Sequence, residues 1–486
     1  MSVSGNINRK RTGKVDRITV GLYLLFILLG WLNIYAASFD LEHATGLFDL
    51  SSRAGMQLIW MGTSLLLAFA LLKIDIGFYD AYAYIFYSVG IALLLVTLVV
   101  AKEINGSRSW LVLGPVRLQP AEFMKFTIAL ALAKIFNSYG FRLMERNNLL
   151  LVCAVILLPV LLVIAQSETG TALVYLSFII VLYREGLPGG VLFIGIAVII
   201  YFILGVRFAD TQMGMLSVGE FIAVILIIIF SASMVLNYLK HRQTFLRMLL
   251  LAAAVFAVAL VVSLFSVEVN WGMVALIALG LTALYLIFLY LRYRKKMYLV
   301  VLLFLVGSFA FLESAEYVFY DVLQPHQQMR VKVALGMEQD LSGAGYHVGQ
   351  SKIAIGSGGL VGKGFLNGTQ TKLKYVPEQD TDFIFCTIGE EHGFLGAAAT
   401  ILLFTVFILR LLYLAERQST PFGRVYGYSV AGIFLFHLLV NIGMVIGLMP
   451  VIGIPLPFFS YGGSSLWGFT ILLFIFLRID ASRKRE

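Results

Sequence analysis

Charge is scarce in this chain. Of its 486 residues only 13% are Asp, Glu, Lys or Arg, while 60% are hydrophobic and the mean hydropathy is +0.91. That balance excludes an ordinary soluble domain, in which about a quarter of residues carry charge. The bilayer is the expected solvent. Cysteine is nearly missing: Cys153 and Cys386 lie in or beside apolar runs far apart in sequence, which excludes a disulfide framework and a paired-thiol metal site. Acidic residues trail basic ones, 27 against 36, for a formal charge of +9. The basic residues sit in short clusters between apolar runs, the pattern that fixes membrane orientation, so nucleic acid is not indicated as a partner.

What the chain has in quantity is long apolar runs. A spanning helix needs about 20 mostly apolar residues, because every backbone polar group in hydrocarbon must be satisfied within the helix. By that rule about fourteen spans are expected: Ile18–Ala37, Met56–Leu72, Ala81–Val100, Ala121–Phe136, Leu149–Ala165, Thr171–Tyr183, Val191–Val206, Phe221–Leu239, Met248–Phe265, Trp271–Leu291, Met297–Phe311, Leu395–Leu409, Val425–Leu448 and Gly462–Leu477. The sixth is short. The first follows Arg9, Lys10, Arg11, Lys14 and Arg17, is too long for a signal-peptide core and has no small-residue cleavage site, so it reads as a retained span.

Alternate loops are basic. Arg142 and Arg146, then Lys240, Arg242 and Arg247, then Arg292, Arg294, Lys295 and Lys296, then Arg410, Arg417 and Arg424, and last Arg478, Arg483, Lys484 and Arg485 all fall on the N-terminal side. Asp40, Glu42, Asp49 and Glu268 fall on the other. Both termini are therefore expected in the cytoplasm. The segment from about Glu313 to Gly393, roughly 80 residues, then faces outward and is long enough to expect function of it. Its apolar stretches, Ile353–Leu360 and Phe383–Phe385, predict short amphipathic or re-entrant pieces and no separate folded domain.

Charges near spans cost about 2.5–3.5 kcal/mol each on insertion, so they have partners or line a wet cavity. Glu122 and Lys125 lie three apart at the outer end of the fourth span, on one helix face, either as a structural ion pair or in direct catalysis. In the preceding loop Arg108 suits a phosphate and Trp110 the membrane interface, with an anchoring loop as the alternative; Gln119-Pro120 begins the helix. Pro377-Glu378-Gln379-Asp380-Thr381-Asp382 gathers three carboxylates beside an apolar stretch. Lost solvation and like-charge repulsion there favour one general base, and a solvated mixed-charge loop is the other reading. Arg330, Lys332, Lys352, Lys363, Lys372 and Lys374 in the same loop suit a phosphorylated substrate. Near the C-terminus, Gly447–Pro450 and Gly453–Ser465 cannot form one continuous helix, and broken backbone at membrane depth points to a cavity wall.

Taken together and in order, these stretches resemble the SEDS (shape, elongation, division and sporulation) family of cell-wall proteins. The resemblance is carried by Gly106–Trp110, Gln119–Lys125, Gly170–Leu173, Gly343–Tyr346 with Gln350-Ser351, Gly362–Gly364, Pro377-Glu378, Thr381–Phe385, Gly389–Glu391 and Asn441–Ser465. It implies an all-α polytopic membrane protein, a SEDS-like helical bundle with a core of about ten spans plus about four inserted helices over 187–296, framed by core segments 18–186 and 297–479 and by short tails 1–17 and 480–486. It implies polymerisation of lipid II into glycan strands at the outer face of the bacterial cytoplasmic membrane, with a class B penicillin-binding protein and other elongation-complex proteins as partners. The wording Gly368-Thr369-Gln370 and Pro377-Glu378-Gln379 is closer to the elongation-type (RodA) members than to the division-type (FtsW) ones. Asp382 matches the family's essential aspartate, and Glu122 and Lys125 its charged pair; these three are the expected catalytic residues. Arg108, Trp110, Lys363, Glu378, Thr381, Ser460 and Ser464, all on matched stretches, are the expected substrate contacts. One departure is Gln166-Ser167-Glu168-Thr169, where the family has a proline and an aspartate before its Gly-Thr-Ala.

As implied, Asp382 takes the proton of the acceptor sugar's 4-hydroxyl, which attacks the donor's anomeric carbon with inversion as undecaprenyl pyrophosphate departs. Arg108, Lys125 and Lys363, or a divalent cation (Mg2+ or Mn2+), would face the pyrophosphate; no motif specifies a metal site. The rival is a flippase or exporter of a lipid-linked precursor, whose mark would be inverted repeats with paired broken helices. No such pair is visible in the two halves, and the functional-looking residues gather on one face. A scaffold that recruits a penicillin-binding protein is a third reading, weakened by the gathering of carboxylates and cations.

Overall fold

The expected spans land on helices. The computed structural model describes residues 14–39, 46, 48–103, 107–114, 116–265, 268–338 and 343–483. Arg9, Lys10, Arg11, Asp40, Glu42, Gly106, Lys484 and Arg485 lie outside the described residues. The chain divides into two compact units, Met1–Pro188 with Leu341–Glu486, and Gly189–Asp340.

The first unit opens with α1 (Arg17–Ser38), α2 (Arg53–Lys73) and α3 (Ile76–Val100). A short antiparallel hairpin follows, β1 (Leu111–Leu113) with β2 (Val116–Leu118), which the sequence reading did not anticipate. Next come α4 (Pro120–Phe136), α5 (Arg146–Ala165), α6 (Thr169–Val174) and α7 (Phe178–Arg184), the last two joined by a 3-10 turn at Tyr175–Ser177. The second unit holds α8 (Gly189–Arg207), α9 (Val218–Leu239), α10 (Arg242–Leu264), α11 (Trp271–Tyr293), α12 (Lys296–Tyr317, continued by a π-helical turn Val318–Val322) and α13 (Pro325–Ala334). The first unit closes with α14 (Ala344–Ser357), α15 (Thr369–Lys372), α16 (Ile384–Glu416), α17 (Pro421–Val445) and α18 (Gly463–Ala481). Among the described residues twelve of these helices are long and apolar enough to cross a membrane. The other two expected spans, Ala121–Phe136 and Thr171–Tyr183, fall on helices below that length: α4 has 17 residues, and the sixth is the broken pair α6 and α7.

The starts of helices follow local chemistry. Asp16 and Ser52 cap α1 and α2 by accepting from Thr19 and Gly55 N–H groups, and Pro120 opens α4 at a position where its missing N–H costs nothing. In the second unit Ser217 and Glu220 form a reciprocal capping box.

In the first unit α4, α17 and α18 form the centre, and almost every residue of α4 is buried. Phe458, between α17 and α18, inserts among Tyr23, Phe26, Phe407, Phe434 and Phe469 with ring centroids 5.2–6.3 Å apart. Each such pair contributes about 0.5–1.5 kcal/mol beyond its buried area, so the broken segment is anchored at membrane depth by its own aromatic ring. The opposite end is closed by ion pairs that use the orienting arginines: Arg410 with Asp16, Arg417 with Asp480, and Arg424 with Glu185.

In the second unit α9 packs against α8, α10, α11 and α12 over a core that includes Tyr201, Val224, Ile227, Leu286, Val301 and Leu305. This unit contains the helices of the expected 187–296 segment and also α12, which packs on α8, α9 and α11, and α13. The expected loop 313–393 holds helical pieces at both ends, and its expected end at Gly393 coincides with a break in the helix. Helix α12 runs on to Tyr317, and α16 begins at Ile384 and continues through a kink at Gly393. Gly393 has φ of +63°, and a Cβ there would lie 2.8 Å from the Leu360 carbonyl, so only glycine lets the 360–362 segment pass this close.

Candidate active site

The expected catalytic residues and substrate contacts belong to the first unit, whereas Arg330 and Lys332, offered for a phosphorylated substrate, lie on α13 of the second, where Lys332 pairs with Glu338. The loop before α16 and the broken segment before α18 are stitched together through backbone. The Tyr461 N–H donates to the Asp380 carbonyl at 2.8 Å, and the Ser460 hydroxyl donates to the Thr381 carbonyl at 2.6 Å while accepting from Leu456 N–H at 2.8 Å. Ser460 is buried and spends its hydroxyl inside the protein, which removes it from substrate contact. From α17, the Asn441 amide donates to the Asp382 carbonyl at 2.8 Å and to the Ile454 carbonyl at 2.7 Å. Gln379 reaches the end of α1, donating to the Ala37 carbonyl at 2.6 Å.

These bonds hold Asp382 against the broken segment. Gly453 has φ of +76°, and a Cβ there would stand 3.2 Å from the Asp382 Oδ2. The missing side chain is what makes room for the carboxylate.

The preceding residue, Thr381, lines a cleft of about 450 Å³ together with Arg53, Met56, Trp60, Trp110, Arg117, Glu378, Tyr461, Gly462, Gly463 and Ser464; Asp382 itself is not among the lining residues. Four expected substrate contacts, Trp110, Glu378, Thr381 and Ser464, thus meet at one place. Arg53 and Arg117 supply positive charge that the sequence reading assigned to other residues. Arg53 forms an ion pair with Asp380, whose side chain is 7% exposed, and lies 5.8 Å over the Tyr461 ring. Of the three neighbouring carboxylates Asp380 is therefore neutralised by a partner, and Glu378 Oε2 accepts from the Thr381 hydroxyl at 3.0 Å. A neighbouring cavity of about 500 Å³ shares Arg53 and Glu378 and is lined also by Lys374 and Ser52.

Beneath the cleft, Glu122 and Lys125 are buried, 3% and 1% exposed, with Lys125 Nζ 2.7 Å from Glu122 Oε2. Lys125 also lies 3.1 Å from His437 Nε2 and 4.3 Å over the Phe469 ring. The pair is fully enclosed by protein, and neither side chain lines the cleft. Two more expected contacts are engaged elsewhere. Arg108, an exposed residue, has Nη2 3.6 Å from Glu103 Oε2. Lys363 donates to buried Glu390 at 2.7 Å, and the same carboxylate accepts the Gln370 and Thr371 N–H groups, so this lysine ties down a loop.

Sequence reasoning missed Arg53, Arg117, Tyr461 and His437. A spacing signal was present for two of them: Arg53 follows a capping serine, and Tyr461 opens the Gly-Gly-Ser-Ser stretch. Arg117 depends on the hairpin, where it pairs across from Val112.

Twelve helices among the described residues that are long and apolar enough to cross a membrane, with a polar cleft bearing arginines and aromatic rings at one end of the first unit, define a polytopic membrane protein. The family described as "Cell cycle protein" (FtsW, RodA and SpoVE) matches residues 16–218 and 212–485, and the chain belongs to it. It is 30% identical over 468 residues, 96% of this chain and 97% of the relative, to "Peptidoglycan glycosyltransferase RodA" of Treponema pallidum (strain Nichols). It is 50% identical over 145 residues, 30% of this chain and 39% of the relative, to "Peptidoglycan glycosyltransferase MrdB" of Escherichia coli (strain K12). Among solved structures it resembles one described as "Structural coordination of polymerization and crosslinking by a peptidoglycan synthase complex", with a TM-score of 0.62 at 23% identity over 97% of this chain and 99% of that one. The rod shape determining protein RodA of Thermus thermophilus superposes with a TM-score of 0.54 at 23% identity, covering 97% and 98%.

Proposed function

We propose that this protein is a peptidoglycan glycosyltransferase of the RodA type, polymerising lipid II into glycan strands at the outer face of the cytoplasmic membrane for cell elongation. The observation that carries this reading is the full-length likeness to a glycosyltransferase together with a cleft that gathers two arginines and two tryptophans around Thr381, the residue before Asp382. A guanidinium is a planar fork suited to phosphate, and aromatic faces suit sugar rings and the interface.

In this mechanism Asp382 accepts the proton of the acceptor's sugar 4-hydroxyl. The oxygen forms its bond to the donor's anomeric carbon as the bond to undecaprenyl pyrophosphate breaks, inverting that carbon. Base catalysis contributes about 10²–10⁴ in rate, and orientation with charge stabilisation supplies the rest. Arg53 and Arg117 take the pyrophosphate charge, Trp110 and Thr381 the sugar side. Among the described residues no group of three or more His, Cys, Asp or Glu side chains is placed to hold Mg2+ or Mn2+, Asp380 is paired with Arg53, and no step is assigned to a metal.

The basic residues at the far end support a cytoplasmic position for both termini and an outward cleft. The match to a structure of polymerisation coupled to crosslinking supports a class B penicillin-binding protein as partner. The test is reconstitution in vesicles with labelled lipid II, with and without such a partner. Long glycan strands support polymerisation; movement of intact lipid II across the bilayer without polymer supports transport.

A further inference from the structure

His437 is a lone histidine in the middle of α17, 1% exposed. Its Nε2 faces Lys125 Nζ at 3.1 Å and its Nδ1 faces the Pro455 carbonyl at 3.1 Å. An ammonium has no lone pair, so the nitrogen facing Lys125 must accept. A neutral ring that accepts at Nε2 carries its proton on Nδ1, which then donates to Pro455. One hydrogen-bond chain therefore runs from Glu122 through Lys125 and His437 to the backbone of the broken segment.

Four residues on, and so on the same face of α17, Asn441 donates to the carbonyls of Ile454 and Asp382. His437 and Asn441 together grip consecutive carbonyls of the segment whose Gly453 abuts the Asp382 carboxylate. Pro455 and Pro457 have no N–H groups to tie this segment into a helix, so the grip from α17 restrains its Ile454–Pro455 stretch, while Ser460 and Tyr461 restrain its far end.

We propose that His437 is a positioning residue for Asp382: charged Glu122 and Lys125 fix its tautomer, and its Nδ1–H holds Pro455, and with it Gly453, at the carboxylate. This inference rests on the reading of Asp382 as general base. It gives the buried charged pair a function that needs no contact with substrate.

The test uses the full-length protein in vesicles with its class B partner and labelled lipid II, comparing wild type, Asp382→Asn, and His437→Phe, →Asn and →Gln, with melting temperature and elution volume for each. His437→Phe keeps the ring and loses both bonds; kcat is expected to fall about 10²-fold, the loss typical of a misplaced reacting group, with KM unchanged. An Asn amide reaches the Nδ1 position and keeps the bond to Pro455, whereas a Gln amide reaches the Nε2 position and keeps only Lys125. His437→Asn is therefore expected to retain more kcat than His437→Gln at similar melting temperature. A merely packing role would not produce that order. Wild-type kcat in His437→Phe, or Gln equal to or better than Asn, overturns the inference while Asp382→Asn remains inactive. Failure of all three variants to fold makes His437 a structural residue and overturns it too. Polymerisation that survives Asp382→Asn overturns the underlying reading, and this inference with it.

Discussion

Arg53, the first residue of α2, grips the carboxylate of Asp380 across 327 positions of sequence. The bond joins the start of a spanning helix to the loop that carries Asp382. Its side chain is still 55% exposed and lines the cleft, so one residue both fixes the loop and can present charge to a ligand.

Arg53→Gln should raise KM for lipid II more than it lowers stability. A hydrogen bond to a charged group is worth about 1.5–3 kcal/mol, which corresponds to roughly 10- to 100-fold in affinity. Steady-state polymerisation measures it. An unchanged KM would restrict Arg53 to holding the loop.

Removing one member of the buried pair leaves a charge without its partner. Lys125→Met should destabilise the protein by about 3–5 kcal/mol, and the double change Glu122→Gln with Lys125→Met should recover part of that loss. Thermal unfolding in detergent of the two single variants and the double variant gives the coupling.

Gly453→Ala tests the space beside Asp382. The positive φ costs about 1 kcal/mol for a side chain, and the new methyl meets the carboxylate. The expected outcome is a small drop in melting temperature with a large drop in kcat. A variant with normal kcat would show that Asp382 works from another position.

Lys363→Met should leave KM for lipid II unchanged and lower stability slightly, because Glu390 keeps its two backbone N–H donors. Glu390→Gln should loosen the 363–371 loop more, seen as faster proteolysis there. A raised KM in Lys363→Met would return this lysine to the substrate.

Much of the fold was legible because a bilayer leaves few options: Ile18–Ala37 or Phe221–Leu239 has to be helical, and Pro450, Pro455 and Pro457 have to break a helix. The gathering of Trp110, Glu378, Thr381 and Ser464 was legible as matched stretches. Their meeting in one cleft was not, since it depends on how α2, the hairpin and the broken segment close together. Charge partners were the hardest to read. Arg108 and Lys363 looked free in sequence but have Glu103 and Glu390 beside them, whereas Arg53 looked like an ordinary first helical residue. That α12 packs with α8, α9 and α11 was not legible, because apolar periodicity marks a helix without saying which neighbours it packs on.

The most direct test of the account is polymerisation of labelled lipid II by purified wild type and Asp382→Asn, each reconstituted with a class B partner and matched for melting temperature. The account predicts long strands from wild type and none from the variant with lipid II still bound. Strands of equal length and rate from a folded Asp382→Asn would contradict it.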